Sequence, residues 1–135
     1  MTIVRLRNVD KVYSTGVVAL QGLDLDVAEG EFLTLLGPSG CGKSTVLRLV
    51  AGLGDLSGGS IEWRAADGGG APPRDLGFVF QDPTLMPWAT GADNVRLPLR
   101  LRGVPREAAA ARVAEAIGMV GLDGFERAYP RELSG

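Results

Sequence analysis

The 135-residue sequence has no histidine and only one cysteine, Cys41. Without an imidazole, Ser-His-Asp hydrolysis and a histidine-ligated zinc are both excluded within the chain. A lone thiol likewise excludes an internal disulfide and any CxxC metal site. Lysine is scarce, with Lys11 and Lys43 set against twelve arginines. Positive charge is not in surplus either: fourteen Lys and Arg against sixteen Asp and Glu leave a net charge of −2, which argues against a dedicated nucleic-acid binder. Long apolar runs are missing too. The most apolar stretch, Thr45 to Leu53, is interrupted by Arg48, whereas a membrane span needs roughly 20 apolar residues. Met1 to Arg5 leads into an alternating pattern without the layout of a signal peptide, so a reduced, cytosolic compartment is expected. What remains, 45% hydrophobic and 22% charged, suits one ordinary water-soluble domain.

Thr2 to Val9 alternates, with Val4 and Leu6 on one face and Ile3, Arg5 and Arg7 on the other, which predicts a half-buried strand. Leu23, Leu25 and Val27 alternate with Asp24 and Asp26 in the same way. Val17 to Leu20 reads as a third strand after a turn at Ser14 to Gly16, making residues 1–30 an antiparallel layer. Phe32 to Leu36 is then almost continuously apolar, the pattern of a strand covered on both faces. Val46, Leu47, Leu49 and Val50 predict a helix stopped at Gly52 and Gly54. A short strand is expected at Ile61 to Arg64, a Gly/Pro/Ala loop at Ala65 to Pro73, and another apolar strand at Leu76 to Phe80. Pro83 and Pro87 mark Gln81 to Thr90 as an extended loop. Pro105 to Ile117 reads as a helix with Pro105 in its first turn, Ala110, Val113, Ala114 and Ile117 on one face, and Gly121 as its stop.

One motif carries chemistry. Gly37-Pro38-Ser39-Gly40-Cys41-Gly42-Lys43-Ser44 fits G-x-x-x-x-G-K-[ST] between a predicted buried strand and a predicted helix, the setting a phosphate-binding loop requires. Glycines let successive N–H groups turn toward phosphate oxygens, and the helix aims its unpaired N–H groups and positive dipole end at the same point. That dipole supplies only about 0.3–1 kcal/mol when exposed, so a triphosphate also needs the Lys43 ammonium and a metal. Ser44 is the expected Mg²⁺ ligand and Thr45 a secondary phosphate contact. The competing reading is a glycine-rich strand-to-helix turn without a ligand. Cys41, near a helix N-terminus, is either a redox-sensitive thiol or a small filler in a permissive loop.

The order of this loop, then Gly77-Phe78-Val79-Phe80-Gln81, then a helical stretch, then Arg131-Glu132-Leu133-Ser134-Gly135 resembles the ATPase subunit of an ATP-binding cassette (ABC) transporter. The resemblance covers roughly the first half of such a domain and ends inside its Leu-Ser-Gly-Gly-Gln signature. Leu85-Met86-Pro87-Trp88, Asp93-Asn94-Val95 and Tyr129 to Gly135 look most like the nitrate, sulfonate and taurine importer group. The resemblance implies an α/β P-loop NTPase fold, an incomplete nucleotide-binding domain with an N-terminal antiparallel β layer and the start of a helical subdomain. Its divisions fall at 1–30 for the β layer, 31–82 for the nucleotide-binding core and 83–135 for the helical segment and truncated signature. By the same resemblance Gly37, Pro38, Ser39, Gly40, Cys41, Gly42, Lys43, Ser44 and Thr45 bind the phosphates of ATP, Tyr13 stacks on adenine, and Ser44 and Gln81 serve Mg²⁺. Trp88 is the candidate anchor for a membrane subunit, or else a core tryptophan.

The implied working form is a homodimer of ATPase subunits docked to membrane permease subunits on the cytoplasmic side of the cell membrane. A solute-binding protein takes part indirectly, and nucleic acid does not. In the family the Walker B aspartate, the catalytic glutamate and the switch histidine lie beyond position 135, so no acid here is assigned a catalytic role. The 135-residue stretch alone is expected to bind nucleotide at most, and to be unstable or aggregation-prone, since the sheet partners of Phe32–Leu36 and Leu76–Phe80 belong to the missing half. Three other readings stay open: a P-loop kinase, a cassette ATPase acting on nucleic acid, and a nucleotide-binding remnant without turnover.

Overall fold

The computed structural model describes residues 1–64, 72–73 and 76–133 and divides into two units, Met1–Val79 and Phe80–Gly135. The first contains β1 (Thr2–Val12), β2 (Val18–Ala28), α1 (Lys43–Val50) and β3 (Gly58–Trp63). Its three strands form one antiparallel sheet in the order β2-β1-β3. Leu6 lies opposite Leu25 on one side and Ile61 on the other, so the central strand carries the apolar register. Val4 and Leu6 are buried as their alternation predicts, but the next buried residue is Val9, three positions on. Asn8, at φ 47, takes up the extra residue and returns Val9 to the inner face.

Val17–Leu20 and Leu23–Val27, expected as separate strands, belong to the single strand β2, whose pairing starts at Val18. Gly22 makes this possible. At φ 59 it bulges the strand without ending it, and its N–H donates to Asp10 Oδ1 at 2.7 Å. The Asn8 N–H donates to Asp24 Oδ1 at the same distance. Carboxylates thus satisfy amides that the irregular ladder leaves over. Val46 and Leu49 of α1 close the core over Val4, Leu6 and Val9, with Leu20, Leu23, Leu25, Ile61 and Trp63 around them. On the opposite face Arg7 Nη2 contacts Asp26 Oδ2 at 2.8 Å, and Arg5 reaches Asp26 and Glu62 at 3.5 and 3.9 Å. The Arg7 hydrogen bond, helped by Arg5, holds the Asp26 carboxyl below its ordinary range.

Two sequence expectations fail here. Among the described residues no strand includes Phe32–Leu36 or Leu76–Phe80; Phe32 is 95% and Val79 95% exposed. Apolar composition makes a segment suitable for a sheet interior, but a strand exists only when a neighbour takes its N–H and C=O groups. Leu35 alone of the first segment packs against the core. The predicted strand near Ile61 begins earlier, at Gly58. The loop expected at Ala65–Pro73 lies mostly outside the described residues, as do Ser134 and Gly135.

The second unit holds α2 (Gly91–Leu101), α3 (Arg106–Met119) and a 3₁₀ turn at Pro130–Glu132. Thr90 caps α2, accepting the Asp93 N–H, and the Gly91 and Ala92 N–H groups donate to the carbonyls of Ala128 and Glu126. Pro98 sits inside the helix. In α3 the buried line is Ala109, Val113 and Ile117, so Ala109 replaces Ala110 on the expected face. Pro105 occupies the cap position just before the helix rather than its first turn. Ala92, Leu99 and Val104 pack against that line. Among the described residues, no helix is long and apolar enough to cross a membrane.

Candidate functional site

The 37–45 segment acquires its shape from the sheet beneath it. Gly42 is the cap of α1 at φ 97 and ψ 1, a left-handed conformation, and a Cβ there would lie 2.6 Å from the Ala19 carbonyl oxygen and 2.8 Å from Leu20 Cδ2. Both requirements select glycine: the torsion, and the close approach to β2. Its carbonyl accepts the Val46 N–H at 2.9 Å, which starts the helix. The N–H groups of Gly42, Lys43, Ser44 and Thr45 find no acceptor among the described residues, and no side chain caps the helix. A helix start with its donors left over is a place for an anion.

Lys43 folds back over this loop. Its Nζ donates to the carbonyls of Gly37 and Pro38, each at 2.7 Å, and lies 3.4 Å from Cys41 Sγ. None of its partners among the described residues is a carboxylate. The ammonium is therefore held by neutral, exposed acceptors, and its charge is not cancelled. Cys41 is a free, exposed thiol. Ser44 is exposed in the first turn of α1, whereas Thr45 is 9% exposed. The Thr45 hydroxyl lies 3.0 Å from the Tyr13 hydroxyl, so the structure ties the predicted adenine residue to the end of the phosphate loop. Tyr13 itself stays 39% exposed.

Sequence reasoning missed Lys11 in this arrangement. Its Nζ donates to the Asp55 carbonyl at 2.6 Å and stands 5.4 Å from the centre of the Tyr13 ring. The signal was available: residues two apart on an extended chain share a face. Gln81 is exposed in the coil that opens the second unit, and Leu133 is partly buried after the 3₁₀ turn. Trp88 is 76% exposed, which excludes the alternative of a core tryptophan within its own unit. A cavity of about 260 Å³ is lined by Thr2 to Arg5 and Glu62 to Arg64, and one of about 230 Å³ lies between α2 and α3; neither is lined by a residue of 37–45. No group of three or more Cys, Asp or Glu side chains that could hold a metal occurs among the described residues.

The residues present fit a polyphosphate: donors without acceptors, an uncancelled ammonium and an exposed hydroxyl at Ser44. Comparison with known proteins points the same way. The family model described as "ABC transporter" matches residues 20–135. An uncharacterized ABC transporter ATP-binding protein from Methanocaldococcus jannaschii is 44% identical over 136 residues, 97% of this chain and 50% of that protein. The spermidine/putrescine import ATP-binding protein PotA from Haemophilus ducreyi is 46% identical, over 99% of this chain and 36% of that protein. The sn-glycerol-3-phosphate import ATP-binding protein UgpC from Ralstonia nicotianae is 42% identical, over 96% of this chain and 36% of that protein. The chain thus spans half or less of these relatives' length. Among solved structures, a dimeric ATP-binding cassette in a post-hydrolysis state, bound to ADP and Pi, superposes with a TM-score of 0.81 at 32% identity, covering 98% of this chain and 63% of that one. The fold is that of the ABC-type P-loop ATPase, in part, with its antiparallel β layer and the helices described above, and the chain belongs to the ABC transporter family of ATP-binding proteins.

Proposed function

We propose that this chain is the nucleotide-binding part of an importer's ATPase subunit, using ATP and Mg²⁺ to drive solute uptake. The observation that carries the reading is the loop at 37–45, where four N–H groups without acceptors surround a lysine whose charge no carboxylate neutralises. In this proposal Gly37 to Thr45 hold the phosphates, with Lys43 exchanging the Gly37 and Pro38 carbonyls for phosphate oxygens. Ser44 and Gln81 hold Mg²⁺, and the exposed part of the Tyr13 ring stacks on adenine. The bound Mg²⁺ supplies charge neutralisation at the phosphates. The division into 1–30, 31–82 and 83–135 assigns these tasks to a β layer, a nucleotide core and a helical segment. The carboxylate that activates water is assigned to no residue of this stretch, so turnover belongs to the intact subunit.

The proposed assembly is a pair of ATPase subunits on the cytoplasmic face of the membrane, joined to permease subunits and, through them, to a solute-binding protein. Nucleic acid is not among these partners. Dimeric cassettes among the similar structures support the pairing, and the import proteins among the relatives support the permease. The nitrate, sulfonate and taurine assignment rests only on Leu85–Trp88, Asp93–Val95 and Tyr129–Gly135. The relatives carry glycerol-phosphate and polyamine names instead. Import, rather than one solute, is what those named proteins share. The test is ATP hydrolysis by the full-length subunit beside its Lys43→Ala variant. A rate that falls by tenfold or more supports the proposal, and equal rates overturn it.

A further inference from the structure

The segment between Gln81 and α2 is not the loosely extended loop its prolines suggest. The Ala89 N–H donates to the Met86 carbonyl at 3.1 Å, closing a turn with Pro87 and Trp88 at its two central positions. One side chain from the first turn of α2 holds that turn from within. Asn94 Oδ1 accepts the Met86 N–H at 2.8 Å, and Asn94 Nδ2 lies 3.2, 3.1 and 3.1 Å from the carbonyls of Met86, Ala89 and Thr90. Both faces of the carboxamide are used, and only a carboxamide offers an acceptor and two donors in that fork. Asn94 is itself half-buried, while Trp88 is 76% and Leu85 46% exposed. An indole held outward on a clipped turn, with a leucine beside it, has the composition of an interface anchor.

We infer that Asn94 is a positioning residue: by clipping the Met86–Ala89 turn it fixes how Trp88 is offered to the permease subunit. The inference rests on the importer reading for the identity of the partner, and on the hydrogen bonds alone for the clip. Rigid presentation matters because an anchor that must be ordered on binding loses part of its binding free energy to that ordering. Asn94→Asp keeps the acceptor for the Met86 N–H, removes the donors and sets a carboxylate against three carbonyls. Asn94→Leu removes all the bonds at similar volume.

The experiment uses the full-length subunit, alone and co-expressed with its permease subunits. Amide hydrogen exchange across 85–90 should accelerate at least tenfold in both variants. Recovery of subunit with the permease should fall at least fivefold, as in Trp88→Ala, while ATP hydrolysis by the isolated subunit stays within twofold. If Asn94→Leu fails to fold, Asn94→Asp decides. Unchanged exchange at Met86 and Ala89 overturns the clip, and faster exchange with full permease recovery overturns its role in presentation. Full recovery in Trp88→Ala and Leu85→Ala together overturns the docking reading instead, a result the exchange data do not touch.

Discussion

Gly40 and Gly42 sit two residues apart in one loop, both at positive φ, yet their surroundings differ enough to predict unequal costs. Gly40, at φ 80, has nothing within 4 Å of an added Cβ. Alanine there should cost only the left-handed conformation, roughly 1–2 kcal/mol. Gly42, at φ 97, faces the Ala19 carbonyl oxygen at 2.6 Å and Leu20 Cδ2 at 2.8 Å. The leucine methyl can turn aside, but the carbonyl belongs to β2 and moves only with the strand. Overpacking of that kind adds about 1–3 kcal/mol, so Gly42→Ala should cost ~2–5 kcal/mol in all. The loss should reach the site, because pushing residue 42 off β2 displaces the N–H groups of Lys43, Ser44 and Thr45 with it. Urea unfolding of the full-length subunit, paired with titration of an ATP analogue, measures both effects. Equal destabilisation by the two variants, or a Gly42→Ala cost under ~1 kcal/mol, would refute the claim that β2 moulds the loop.

Tyr13→Phe keeps the ring and deletes the hydroxyl 3.0 Å from Thr45 Oγ1; we expect a loss of about 0.5–1.5 kcal/mol in stability with nucleotide affinity retained, whereas Tyr13→Ala should weaken affinity, both read by denaturation and nucleotide titration. Leu6→Ala empties a fully buried position in the central strand and should cost ~2–5 kcal/mol by the same unfolding assay. Because Arg7 and Arg5 depress the Asp26 carboxyl in the folded state, its contribution is complete above the unfolded value near ~3.9 and is lost as pH falls through the lower folded value. Asp26→Asn should therefore flatten the acid limb of the stability profile, and NMR titration should show Asp26 ionising below free aspartate. For the 135-residue polypeptide alone, Phe32→Ser with Val79→Ser should raise solubility, since both side chains are 95% exposed; unchanged sedimentation behaviour would contradict it.

Those outcomes divide along the same line as what the sequence makes legible. The alternation of Val4 and Leu6, the Gly-rich loop, the start of α1 and the Val113–Ile117 face all follow from local periods and spacings, and the structure contains them. The core face of β1 was legible only up to Leu6, because the bulge at Asn8 shifts Val9 by one position and no period announces a bulge. The helix α2 was hidden by Pro98, which removes one donor but here leaves the helix running to Leu101. Thr90 with Asp93 three residues on was the available signal for its start. Gly22 misled in the opposite direction, suggesting an end where the strand only bends.

The phosphate loop and the apolar segments beside it differ in what each needs from the rest of the molecule. The loop is finished by neighbours a short way off in space: Ala19 and Leu20 beneath Gly42, Tyr13 against Thr45, and Lys43 on its own loop's carbonyls. All of these lie within the first unit, so the donors that would meet a phosphate are set without help from the second. Phe32–Leu36 and Leu76–Phe80 are the opposite case, since their strand character depends on partners that no described residue supplies. The strand leading into the loop and the strand leading to Gln81 are thus the parts whose order depends on non-local pairing. A residue serving Mg²⁺ from the end of such a segment is placed only as well as that pairing is made. For Ser44, anchored in α1, no such dependence exists, which is why nucleotide binding should outlast hydrolysis when the sheet is disturbed.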